Sequence, residues 1–176
     1  MTLTTKQFDS FVEDLLGEKM PRPIIIVGAS KIDDLLLRII EKYFLPAREK
    51  EDELLKGDTP LSTFSSRIKL TYRLGIIDDS LFRLLEQVRK IRNLCAHSIE
   101  FDIKKSPSRE HVNEIKKNLS TKTSYTLTKS RFFSDAFNDT KELQCLLITI
   151  CVILEAIHEE IKQTKGLKKA LTISTR

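Results

Sequence analysis

The chain has no tryptophan and only five glycines, five prolines and three cysteines among its 176 residues. So little glycine and proline excludes collagen-like repeats and low-complexity disorder, and it leaves too few turn residues for a sandwich of many short strands. Cys95, Cys145 and Cys151 are odd in number, lack a Cys-x-x-Cys spacing and sit in apolar stretches, where cysteine behaves as a small hydrophobe. A reduced, cytoplasmic setting is therefore expected. Long hydrophobic runs are also missing. Residues 24–27 form a short one, and Thr149 and Glu155 interrupt 143–157, so nothing reaches the roughly 20 residues needed to span a bilayer. The opening MTLTTKQFDSFVEDLL carries acids where a secretory signal needs a basic start and an unbroken apolar stretch, and no export is expected.

What is present suits a helix-rich globule with one core. Hydrophobic residues make up 40% and charged residues 31%, at a length close to that of a single domain. The formal charge is +5, but it is concentrated in two places. Residues 162–176 hold five bases and no acid, while 104–131 hold eight bases against Glu110 and Glu114, leaving the remainder at −6. A high pI created this way does not by itself mark a nucleic-acid-binding protein.

Helical periodicity organises most of the chain. Phe8, Phe11, Val12, Leu15 and Leu16 form one stripe of a first helix ending near Gly17, and Pro21 and Pro23 break the chain after it. The stretch IIIVGASKIDDLLLRIIEKYFL reads either as a strand turning at Gly28 into a helix or as one helix over about 23–45. The second reading is preferred, because a lone glycine supplies neither a dinucleotide loop nor a phosphate loop. Pro60 is placed in the first turn of the next helix, capped by Asp58 or Thr59, burying Leu61, Phe64, Ile68 and Tyr72 and ending at Gly75. Asp78 and Asp79 start an amphipathic helix with Leu81, Leu84, Leu85, Val88, Ile91 and Cys95 inward. Residues 102–131 read as a basic surface insert, with a short helix after Ser108 and then a Ser/Thr/Lys run without strong periodicity. A last helix runs from Asp139 to about Lys165. The expected architecture is a single all-α helical domain over 1–165 followed by a basic flexible tail, 166–176.

The string VRKIRNLCAHS, residues 88–98, carries the candidate chemistry. Asn93 and His97 are four apart and share a helix face. Arg92 and His97 are five apart, about 140° around an ideal helix, so they meet only if the last turn unwinds or a second subunit contributes one of them. A histidine titrating near neutrality could move a proton of a ribose hydroxyl, and an arginine could stabilise charge on phosphate, without a metal. The plainer reading is that His97 favours a helix C-terminus electrostatically and Arg92 and Asn93 bond to neighbours. His111 and His158 have no second His or Cys at zinc-ligand spacing, and neither a metal nor a cofactor is expected. Lys104, Lys105, Arg109, Lys116 and Lys117 of the insert, interleaved further along with Tyr125, Phe132 and Phe133, form a candidate nucleic-acid surface with Lys168 and Lys169 of the tail. Solvated lysines are the alternative. No basic recognition helix of the helix-turn-helix kind is evident.

The block PLSTFSSRIKLTYRLGII, followed by a helix ending IRNLCAH and preceded by ASKIDDLLLRIIEKYF, resembles the mannitol operon repressor family, a group of small all-helical bacterial proteins. The resemblance covers about residues 24–98. It implies a cytoplasmic regulator of transcription, dimeric, acting through a protein partner without a DNA-reading module of its own. The Arg92-Asn93-x-x-x-His97 pattern also resembles the Arg-x4–6-His motif of the HEPN superfamily, which includes metal-independent ribonucleases. That likeness implies Arg92 and His97 as a catalytic pair with Asn93 beside them. HEPN toxins paired with nucleotidyltransferases commonly carry Tyr two residues after the His, where this chain has Ile99.

Overall fold

A computed structural model describes residues 5–47, 53–55, 57–133 and 137–165. Within these residues there are seven helices and no strand: α1 (Thr5–Gly17), α2 (Pro21–Tyr43), α3 (Phe64–Arg73), α4 (Asp79–His97), α5 (Ser108–Leu119), α6 (Thr123–Phe132) and α7 (Asp139–Glu160). The protein is an all-α bundle, as its periodicity indicates, and the stretch 24–45 is helical from its start. The tail 166–176, with Lys168 and Lys169, lies outside the described residues.

The bundle is built around α2 and α7, the most extensively packed pair. They run parallel: Gly28 meets Leu147 near one end, and the Thr164 N–H donates to the Tyr43 carbonyl at 2.7 Å near the other. Ile24, Ile25, Ile32, Leu35, Leu36 and Ile39 of α2 are buried against Leu143, Leu146, Leu147, Ile150 and Leu154 of α7. At about 1.5–3 kcal/mol for each such side chain taken out of water, this seam supplies much of the fold's driving force. Gly28 is required here: a Cβ at that position would lie 2.7 Å from Leu147 Cδ1 and 3.2 Å from Leu147 Cβ. The three cysteines are buried and unpaired. Burial pushes the Cys145 thiol up to about 11 and Cys151 higher still, consistent with inert packing groups.

Helix ends are closed by side chains from other helices. An α-helix leaves its last carbonyls without intrahelical donors, and its C-terminus attracts positive charge. The Gln144 amide of α7 donates to the Leu15 and Glu18 carbonyls at 2.8 and 2.9 Å, closing α1. Lys42 of α2 donates to the His158 and Glu159 carbonyls at the end of α7. Arg22, near the start of α2, does the same for α4.

Two segments depart from expectation. α3 starts at Phe64, not at Pro60, because Thr63 and Ser66 form a reciprocal capping box, with the Ser66 N–H donating to Thr63 Oγ1 at 3.1 Å and the Thr63 N–H to Ser66 Oγ at 3.2 Å. Leu61 and Phe64 are consequently only half-buried and Tyr72 is exposed, its ring 4.6 Å from that of Phe82. The buried positions of α3 include Arg67, which pairs with Asp33 at 2.8 Å and donates to the Leu55 carbonyl at 3.3 Å, fixing residues 53–55 to the bundle. Gly75 ends α3 with φ +69°, as expected of a left-handed cap.

The other departure is the segment 102–131. Its helix after Ser108 is formed as expected, α5 packing along α4 with Ile115 and Leu119 buried, but the Ser/Thr/Lys run after it forms a further helix, α6, which packs along α7 with Tyr125 and Thr128 buried. Its bases lie on the outer surface while its apolar side completes the core.

Candidate functional site

The end of α4 is where the sequence places its chemistry, and its geometry follows from both termini of that helix. Asp78 caps the start, accepting from the Leu81 N–H at 2.7 Å. Leu84, Leu85, Val88, Ile91 and Cys95 then fix the helix rotation by burying one stripe. The helix remains wound through His97, and Ser98 leaves it in an extended conformation while its N–H still reaches the Leu94 carbonyl at 3.0 Å.

Arg22 holds this end in place. Its guanidinium donates to the carbonyls of Cys95 (2.7 Å), Ser98 (2.8 Å) and Ile99 (3.1 Å), and it lies 5.7 Å from the centre of the Phe101 ring. The Cys95 thiol donates back to the Arg22 carbonyl at 3.7 Å. Sequence patterning did not single out Arg22, since its partners are more than 70 positions away. One cation thus serves three acceptors in the place where the helix dipole most favours it.

A groove of about 520 Å³ opens beside this end, with Lys90, Asn93, Leu94 and His97 of α4 facing Pro107 and His111 across it. His97 and Asn93, expected on one face, are indeed together. Arg92 does not line the groove; it donates to Asn93 Oδ1 at 3.3 Å and its charge is felt by Asp33 on the opposite side. With the last turn wound, Arg92 and His97 of one chain stay on different faces of α4. The unexpected member is His111. Its Nδ1 lies 2.7 Å from Gln87 Oε1, a contact that orients the ring, while burial and then the Lys90 charge push its pKa down.

The bases proposed for nucleic acid have mixed surroundings. Lys116 pairs with Glu142 at 2.8 Å, Lys104 with Asp139 at 3.7 Å and Lys105 with Asp102 at 4.0 Å, and all three are exposed, as are Arg109 and Lys117. Lys104, Arg109 and Lys116 come together with Asp139 and Glu142 around a second cleft of about 350 Å³. Tyr125 and Phe133 are buried in the core, so of the interleaved aromatics only Phe132 retains partial exposure. Among the described residues no group of three or more His, Cys, Asp or Glu side chains is placed to hold a metal ion, and no helix is long and apolar enough to cross a membrane.

Fold and site together define an all-α protein, with seven helices among the described residues and a donor-lined groove at the end of α4. Solved structures that share this fold include the following two. A possible transcriptional regulator, YggD from Shigella flexneri 2a str. 2457T, superposes with a TM-score of 0.61 at 14% identity, over 90% of this chain and 98% of the other. MtlR from Escherichia coli, solved as an MtlR–HPr complex, superposes with a TM-score of 0.58 at 16% identity, over 86% of this chain and 97% of the other. No protein-family model and no curated protein matches the sequence. The likeness is one of fold.

Proposed function

We propose that this protein is a bacterial transcriptional regulator of the mannitol-operon-repressor type, acting through contact with another protein. The observation that carries this reading is the fold likeness, which covers at least 86% of this chain and 97% of MtlR, a protein solved in complex with HPr. HPr or a protein of similar surface is accordingly the partner to test. Two features of the molecule support a protein contact. Ile99 is 98% exposed immediately beyond α4, and an exposed aliphatic side chain beside a pocket is an anchor suited to a protein surface. Lys116 is closely paired with Glu142, which reduces the charge it offers to a phosphate backbone.

Metal-independent RNA cleavage by Arg92 and His97 is the competing expectation, and no observation favours it, since the two side chains do not line one pocket in the chain. Transcript profiling of a deletion strain separates the two. A regulator changes a limited set of transcripts and leaves bulk RNA intact, and the purified wild-type protein leaves RNA uncut in EDTA. Widespread RNA fragmentation that depends on both Arg92 and His97, reproduced with purified protein in EDTA, would overturn the regulator reading.

A further inference from the structure

The groove between α4 and α5 has a composition that neither the fold likeness nor the paired-lysine surface explains. Its polar lining consists of Lys90, Asn93, His97, Ser98 and His111, each able to donate a hydrogen bond, and no carboxylate lines it among the described residues. Two acids close in sequence to the lining residues have partners of their own. Glu86, one turn before Lys90, accepts two bonds from Arg89, at 3.0 and 2.8 Å. Glu110, adjacent to His111, accepts from the Ser106 hydroxyl at 2.7 Å. The remaining lining, Leu94 and Pro107, is apolar. A concave site of this size that combines apolar surface with convergent polar groups is a usual form of small-molecule pocket.

We propose that this groove binds a small phosphate monoester with an apolar body. Lys90, His97 and His111 come from two helices and line the same space, so a tetrahedral dianion can accept from all three, from His111 through Nε2 in its protonated form because Nδ1 donates to Gln87, while a planar carboxylate has only two oxygens to share. Leu94 and Pro107 cover the organic part. The site is held in shape before any ligand arrives, because Arg22 fixes the end of α4 and Gln87 orients the His111 ring. Preorganisation of this kind lowers the ordering cost of binding. The charged and titratable groups around His111 are Lys90 and His97 on α4 and Glu110 on its own helix. A bound phosphate adds negative charge to that balance, so His111 takes up a proton on binding. The inference is independent of the regulator reading: it concerns an effector site on the chain alone, and a failed partner titration leaves it standing.

The test uses the full chain with four probes: phenyl phosphate, inorganic phosphate, benzoate and phenol. Calorimetry and imidazole C–H resonances read the binding. Phenyl phosphate is expected to saturate the site, with benzoate and inorganic phosphate each weaker by about tenfold or more. Its apparent enthalpy is expected to vary with the ionisation enthalpy of the buffer, as proton uptake requires, and the His111 resonance to titrate at higher pH in the complex. Lys90 is exposed, so Lys90→Ala tests the contact without threatening the fold, and it is expected to weaken binding by about tenfold, whereas Lys117→Ala, outside the groove, leaves it unchanged. Three results would each overturn the proposal. They are phenol binding as well as phenyl phosphate, Lys90→Ala binding like wild type, and Lys117→Ala weakening binding as much as Lys90→Ala. Absence of saturable binding by any probe would do the same.

Discussion

Replacing Arg22 by alanine tests the structural logic of the site most sharply. The substitution removes a cation that reaches three carbonyls of 95–99 and leaves those of Cys95 and Ser98 only partly accessible to water. An unsatisfied buried acceptor costs about 1–3 kcal/mol, but partial exposure brings each of these two towards the lower end. The helix-end charge adds about 0.3–1 kcal/mol, and the Phe101 contact is of similar size. The sum is on the order of 3 kcal/mol, and at about 2–4 °C per kcal/mol for a chain of this length it lowers Tm by roughly 6–12 °C. Denaturant unfolding followed by circular dichroism gives the energy. Amide hydrogen exchange gives the location, with protection lost first at the end of α4, where the Ser98 N–H meets the Leu94 carbonyl. Arg22→Lys, with one terminal amine to share, is expected to fall between. A loss below about 0.5 kcal/mol, or exchange accelerated evenly over the bundle, would refute the idea that Arg22 holds the groove-bearing end of α4 in place.

Other predictions address the core, a cap and a buried histidine. Gly28→Ala is expected to destabilise by about 1–2 kcal/mol in spite of alanine's better helix propensity, because its Cβ meets Leu147; combining it with Leu147→Ala should recover about 1 kcal/mol in a double-mutant cycle, and strict additivity would contradict the close approach. Thr63→Ala opens the capping box of α3 and should cost about 1 kcal/mol in chemical denaturation. His158 is buried, with no hydrogen-bond partner for Nδ1, and burial followed by the charges of Lys42 and Arg38 lowers its pKa. The unfolded chain therefore binds a proton there more readily than the folded one. Stability from this residue is present above the ordinary histidine value of about 6.5 and is lost as pH falls through the folded pKa. His158→Leu should flatten stability measured from about pH 7 to pH 5, and an unchanged slope would remove His158 from the account.

How much of this was legible in the sequence depended on how local the determining interactions are. α2, α4 and α7 carry long apolar stripes, and their existence and inward faces could be read directly from spacing. The start of α3 could not, since Pro60 and the Asp58–Thr59 pair form a strong local start signal while the operative cap is a Thr63–Ser66 exchange in a run of hydroxyl residues. α6 was hidden for a different reason: its buried side includes Thr128 beside Tyr125, so hydrophobicity alone shows no period. The site divides in the same way. Asn93 and His97 share a face by arithmetic, and so does the separation of Arg92 from His97 in a wound helix. Arg22 and His111 join them only through tertiary contacts across 73 and 24 positions, distances at which no local pattern speaks. The charge distribution was visible from the start, but its matching by Glu142, Asp139 and Asp102 was not.

The central claim is that this bundle regulates through a protein partner, and titration of the full chain with purified HPr by calorimetry tests it most directly. The account predicts a saturable complex with a Kd in the range of about 1–100 μM, weakened when the exposed Ile99 is replaced by aspartate. No heat and no complex at several hundred micromolar of each protein, alongside sequence-selective binding of the chain to promoter DNA, would contradict it.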